Sequence, residues 1–271
     1  MSGFAVNWLN LRETADLLAR DGDLLSRACQ WLADSDKDPV VIDLGAGTGS
    51  TLRAFTETEI AANRSLTWRL VDHDASLLAE ARRRYGESHT LETLELDLTK
   101  LDELPLQGAR LVTASALFDL VSSAFIADLV NLLVAQNEGQ PIGLYAALTY
   151  NGATRWEPPH PLDKQVLAAL NHDQLRDKGF GPALGPDAAN AMQQQFEQAG
   201  FRVWAADSDW VLGEADIELT GEFIAGIGRA LADHALVDSQ ELQEWVLFRH
   251  SNLESGSCVV GHTDLLVLPG A

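Results

Sequence analysis

Residues 40–55, "VVIDLGAGTGSTLRAF", run from an unbroken apolar stretch through three alternate glycines, Gly45, Gly47 and Gly49, into a helical pattern. A strand this apolar has no polar face to give to water, so it belongs in a parallel sheet covered on both sides. The glycines make a tight turn possible and keep side chains off the main chain, so that a ligand can lie against the backbone where the next helix starts. A plain tight turn in an α/β protein would use the same residues. The acids around the turn separate the two.

The alternation continues along the chain. Apolar runs of strand length fall at 39–45, 66–74, 89–98, 109–117 and 141–150, and helical spacing of apolar residues falls at 50–60, 75–86 and 123–136. The N-terminal stretch "NWLNLRETADLLARDGDLL" reads as one helix with Leu9, Ala15, Leu18 and Leu24 facing inward. A polar, Pro- and Gly-containing segment occupies 151–186, followed by a helix, a strand at 201–212, a mainly helical stretch over about 216–250 and a last strand at 257–269. The expected organisation is a single domain over 1–271, with an N-terminal helical cap (1–37), a core (38–150) and two insertions (151–190 and 214–250) available as lid, substrate wall or interface.

Charge and cysteine content narrow the partners. With 19 basic and 40 acidic side chains the formal charge is -21, which repels a phosphate backbone and sets nucleic acid aside as a substrate. Cys29 and Cys258 fit no metal spacing and read as reduced core thiols; no metal site is expected. No signal-like opening and no run near the ~20 apolar residues that span a bilayer is found, so the expectation is a cytoplasmic protein with no membrane partner.

Three acids follow the glycine turn in order. Asp43, two residues before Gly45, suits a ligand ammonium, which a pyrophosphate would not offer. Asp72 closes the second strand about 20 residues beyond the turn, where ribose hydroxyls are received. Asp97, at the end of the third strand, suits an adenine amine. A dinucleotide fingerprint would need a glycine at position 50, where this chain has Ser50.

"DLGAGTGS", "LVDHD" and "LDL" together resemble the first three motifs of the class I S-adenosylmethionine-dependent methyltransferases. The resemblance spans about 38–150 and extends to the two closing strands. It implies a Rossmann-like, three-layer α/β fold with a seven-stranded, mostly parallel sheet whose last strand is inserted antiparallel, and S-adenosylmethionine as cofactor. Carried over, Gly45, Gly47, Gly49 and Asp43 would hold the methionine part, Asp72 the ribose, and Asp97 with Leu98 the adenine. Ser115 would lie near the methionine end, and Arg12 or Arg20 would pair with its carboxylate. His73 stands where the family often has an aliphatic side chain; it either stacks on adenine or is a solvated loop histidine. The chain departs from the family pattern in the insertion between its last two strands. It also lacks the Asn/Asp-Pro-Pro-aromatic element of enzymes that methylate base amines.

Loops at the carboxyl ends of the strands would border the acceptor, which makes 151–186 the expected lid. His172 is the first candidate for a general base and Tyr150 the second, with Trp156, Gln174, Asp177 and Lys178 as substrate contacts. The expected function is methyl transfer to a small-molecule acceptor, with a homodimer possible through the insertion. Two alternatives stand beside it: an adenosyl-ligand-binding regulatory or interaction protein without transferase activity, and, by fold analogy alone, a nicotinamide-dependent oxidoreductase.

Overall fold

Neighbouring residues of the central strands leave the sheet on opposite faces, and both faces are packed. Val41, Leu70 and Leu111 join Phe55, Trp68 and Tyr145 on one side, while Ile42, Val71 and Val112 join Phe118, Ile126 and Leu129 on the other. This two-sided burial is why these strands show no polar alternation.

The computed structural model describes residues 6–35, 38–58, 65–136 and 139–270. Within them β1 (Val40–Leu44), β2 (Thr67–Asp72), β3 (Thr90–Glu95), β4 (Ala109–Ser115) and β5 (Gly143–Glu157) run parallel. They are joined by β6 (Phe201–Asp207), β7 (Trp210–Leu212) and β8 (Ser257–Pro269). The order is β3-β2-β1-β4-β5-β8-β6 with β7 also on β8, and β8 is antiparallel to each of its neighbours. This is the sheet with an inserted antiparallel strand that the resemblance implied, with one strand more. The eighth arises because 201–212 is not continuous: the Ser208 amide donates to the His262 carbonyl (3.0 Å) and Asp209 Oδ1 accepts from the His262 amide (3.2 Å), which kinks the chain between β6 and β7.

Helices α1 (Val6–Ala19), α2 (Gly22–Ala33), α3 (Ser50–Thr56), α4 (Ala75–Tyr85), α5 (Ser123–Gln136), α6 (Asp163–Gln174), α7 (Ala188–Gln198), α8 (Ile217–Leu231) and α9 (Ser239–Ser251) complete the described elements. The N-terminal helix expected as one is two. Asp21 caps the second by accepting from the Leu24 amide (2.8 Å), and a chain that turns there cannot keep Leu18 on the inner face. Leu18 is 80% exposed, whereas Ala15 and Asp16 are buried. The helix expected over 50–60 stops at Thr56, and residues 59–64 lie outside the described ones.

β5 runs seven residues past the expected end at Tyr150, because β8 pairs with it as far as Glu157↔Ser257. The first part of the expected lid is therefore sheet. α6 carries the remainder, and its apolar face (Val166, Ala169, Leu170) packs with Ile224, Ile227 and Leu231 of α8 and Leu242 and Trp245 of α9. The two insertions thus form one helical layer. No helix among the described residues is long and apolar enough to cross a membrane.

Candidate functional site

The carboxyl ends of β1, β2 and β4 open into a cavity of about 640 Å³. Its floor is the glycine loop. Gly45 (φ 61°), Gly47 (φ 53°) and Gly49 (φ 91°) are all left-handed, which a side chain would strain. At Gly49 a Cβ would also stand 2.9 Å from the Tyr85 ring of α4, so this glycine serves helix packing; at Gly47 it would meet Leu9 of α1 at 3.3 Å. The α1 helix therefore lies over the loop, and Leu9, Arg12 and Asp16, spaced along one helical face, line the cavity.

Two carboxylates flank the loop. Asp43 is buried, and Oδ1 accepts from Thr113 Oγ1 at 2.7 Å; burial pushes its pKa up to about 6, against the Thr113 and Thr51 hydroxyls and the Arg20 charge. Asp72, also buried, accepts from the Gly47 amide through Oδ2 (2.8 Å) and from the Asp74 amide through Oδ1 (3.0 Å), while His73 Nδ1 lies 3.3 Å from Oδ1. The β2 end and the glycine loop are thus one hydrogen-bonded unit. Arg20 stands one layer behind: it does not line the cavity but donates from Nη2 to Ser50 Oγ (3.1 Å) and Ser115 Oγ (3.0 Å), both of which do.

Of the residues singled out on the cofactor side, Asp43, Gly45, Gly47, Asp72, His73 and Ser115 meet at this one cavity. Gly49 closes the loop behind it. Asp97 is exposed and outside the lining, its Oδ1 accepting from the Thr99 amide (3.0 Å), which together with the Thr99 side chain holds its pKa below the ordinary value. Leu98 is buried in the core instead. Leu77 of α4, which the sequence analysis did not single out, joins His73 in the lining.

On the opposite side the walls are Leu120 after β4, Asp173, Gln174, Lys178 and Phe180 from α6 and the turn beyond it, and Gly226, Arg229 and Ala230 of α8. The 214–250 insertion thus reaches the cavity. Of the residues expected as base or substrate contacts, Gln174 and Lys178 line the cavity. Four others do not reach the cavity. His172 is exposed and pairs through Nδ1 with His234 Nε2 (3.1 Å). Tyr150 donates to Asn171 Oδ1 (2.8 Å), and burial pushes its pKa up to about 12, which keeps the hydroxyl protonated. Trp156 stacks on Phe223 (6.0 Å between ring centroids) and meets Trp245 edge-on, inside the helical layer. Asp177 accepts from the amides of Gly179 (2.7 Å) and Gly181 (3.1 Å) and so shapes the turn that presents Lys178.

Asp119 was not anticipated. It is buried in the turn after β4 with Oδ1 lacking a partner among the described residues, and burial pushes its pKa up to about 6, opposed by a backbone amide and the Arg12 charge. No group of three or more His, Cys, Asp or Glu side chains among the described residues is placed to hold a metal ion.

Strand order, bare glycine loop and acid at the end of β2 are those of the class I methyltransferase fold. No protein-family model matches the chain, and no curated protein matches it by sequence. Solved structures do. The YcgJ protein of Bacillus subtilis matches at 12% identity over 93% of this chain and 100% of its own, with a TM-score of 0.50. A methyltransferase of Thiobacillus denitrificans in complex with S-adenosyl-L-homocysteine matches at 15% identity over 98% and 100% (TM-score 0.48). A methyltransferase of Geobacter sulfurreducens, in the same kind of complex, matches at 13% over 99% and 100% (TM-score 0.47). At such identities the likeness concerns the fold.

Proposed function

We propose that this protein binds S-adenosylmethionine at the glycine loop and transfers its methyl group to a small molecule held under α6 and α8. The observation that carries the reading is the pair of buried carboxylates, Asp43 and Asp72, on either side of a side-chain-free loop in one cavity. The donor set fits the group. Asp43 is a buried acceptor suited to an ammonium; Asp72 has oxygens already aligned by backbone amides for ribose hydroxyls; Leu77 and His73 offer a flank to an adenine.

When bound, S-adenosylmethionine supplies a methyl group on a sulfonium whose leaving group is a neutral thioether, so the protein's task is alignment rather than acid chemistry. Ser115 and Ser50, held by Arg20, border the methionine side, and Leu117 and Ala116 shape the wall between the two halves of the cavity. α1 and the α6–α8 layer close over these groups and limit water. Neither His172 nor Tyr150 stands on the cavity, which favours an acceptor whose lone pair is free at working pH over one that a side chain must deprotonate.

The position of His172 and Tyr150 off the wall also supports one alternative, an adenosyl-ligand-binding protein without transferase activity. Calorimetry with S-adenosylhomocysteine, followed by tritium transfer from methyl-labelled S-adenosylmethionine into a small-molecule extract, separates them. Binding with transfer supports the enzyme, binding without transfer the alternative, and no binding removes both.

A further inference from the structure

Arg12, Lys178 and Arg229 stand on the acceptor side of the cavity, beside Asp16 and Asp173. We infer that this side receives an amphipathic anion: a small molecule with a carboxylate, sulfonate or phosphate group at the mouth and an apolar body inside. The inference rests on the methyltransferase reading for which side of the cavity faces the acceptor.

The two carboxylates that line this side, Asp16 and Asp173, are already taken. Asp16 accepts from Arg12 Nε through both oxygens (3.1 and 2.9 Å) and from Trp210 Nε1 (3.0 Å). Asp173 is shared by two cations, Arg176 at 3.0 Å and Lys178 at 3.2 Å, which hold its pKa below the ordinary value against its burial. A cationic acceptor would find these lone pairs engaged. The cations on the same walls are held less evenly. Lys178 shares Asp173 with Arg176, which lies outside the lining, and has the Asp119 charge nearby, whereas Arg229 on the facing helix is paired among the described residues with Glu222, at 3.7 Å and with both side chains more than half exposed, a contact of little strength. On this side the lining therefore carries Arg12, Lys178 and Arg229 against Asp16 and Asp173, in a chain with 19 basic side chains against 40 acidic ones. Such a patch in a net-negative protein selects for an anion at short range. Leu9, Leu117, Leu120 and Phe180 give the interior its apolar wall, and Phe180 is fixed edge-on against Phe125 (5.2 Å). Gly226 and Ala230, one helical turn apart on α8, leave room between that wall and Arg229.

The test uses two dyes with the same aromatic body, 8-anilinonaphthalene-1-sulfonate and the uncharged N-phenyl-1-naphthylamine, titrated by fluorescence into the full chain saturated with S-adenosylhomocysteine. The sulfonate is expected to bind at least tenfold more tightly than the neutral dye. The pair Lys178→Met and Arg229→Met, both at partly exposed positions, is expected to lower sulfonate affinity about tenfold or more while leaving the neutral dye and S-adenosylhomocysteine as in the wild type. Equal affinity for the two dyes, or sulfonate binding unaffected by the double substitution, would overturn the inference. Should calorimetry find no S-adenosylhomocysteine binding, the methyltransferase reading fails, and the dye comparison on the ligand-free protein still decides whether the cavity prefers an anion.

Discussion

Asp72 Oδ2 accepts a 2.8 Å hydrogen bond from the amide of Gly47, tying the end of β2 to the middle of the glycine loop. One carboxylate therefore shapes the loop and lines the cavity. Two substitutions separate these tasks. Asp72→Asn keeps an oxygen for the Gly47 amide but loses the charge; Asp72→Ala loses both. Calorimetry should show the asparagine variant binding S-adenosylmethionine about tenfold more weakly with its melting temperature within a degree or two of the wild type, given about 1.5 to 3 kcal/mol for a charge-assisted hydrogen bond. The alanine variant should bind more weakly still and melt several degrees lower. Wild-type affinity in both would remove Asp72 from the site.

On the proposed reading, Asp43 should make affinity for S-adenosylmethionine depend on pH. Its pKa in the free protein is pushed up to about 6 by burial, so below that pH it is largely protonated and offers an ammonium no charge. Affinity for S-adenosylmethionine should be flat above pH 7 and fall by up to about tenfold per unit below pH 6, since binding must then displace a proton. Asp43→Asn should bind weakly at every pH and show no such slope. A slope that survives in Asp43→Asn would belong to another group.

His262 acts on stability with the opposite sign to Asp43 and Asp119. It is buried beside Trp210 (5.2 Å) and Tyr150 (6.2 Å), and burial, helped by the Arg12 charge, lowers its pKa to about 3. Between its unfolded value near 6.5 and about 3, the unfolded chain binds a proton that the fold refuses, so stability falls as pH falls, by up to about 1.4 kcal/mol per unit. For Asp43 and Asp119 the folded pKa, about 6, exceeds the unfolded one, so the fold binds the extra protons and gains stability as pH falls from 6 towards 4. His262→Phe should leave only the second trend: its melting temperature relative to wild type should rise steadily from pH 7.5 to pH 5. A constant difference across that range would show that His262 titrates normally.

The cofactor half of the site was legible in the sequence because it is local. An apolar strand, three alternate glycines and acids at strand ends each carry their chemistry within a few residues, and Asp43, Gly45, Gly47, Asp72 and Ser115 do converge. Asp97 misled because a strand-end acid looks the same whether it faces a ligand or, as here, bonds to the amide two residues on. The other half is assembled by packing between α1, α6 and α8, over distances no spacing encodes, and Arg229 and Phe180 carried no local mark. One signal was present and unused. Val166, Ala169 and Leu170 define the buried stripe of α6, and continuing it by three residues reaches Asp173, not His172.

That helical phase gives the last prediction. Asp173 is buried on the cavity and holds Arg176 and Lys178; His172, one residue earlier and turned by about 100°, is exposed and its ring pairs with that of His234. Asp173→Ala should free Lys178 and Arg176 from their shared acid and release the turn that carries them, raising the Michaelis constant for the acceptor about tenfold or more while turnover at saturation changes little, because a contact common to ground and transition states is lost. His172→Ala should leave both parameters within about twofold, and Tyr150→Phe, which removes one of the two hydrogen bonds Asn171 makes from α6 to β5, should shift the Michaelis constant in the same direction as Asp173→Ala but less, with no change in the pH profile. A fall in turnover of about 10² in His172→Ala, with a lost limb in the pH profile, would instead make His172 a general base and require α6 to turn when the acceptor binds.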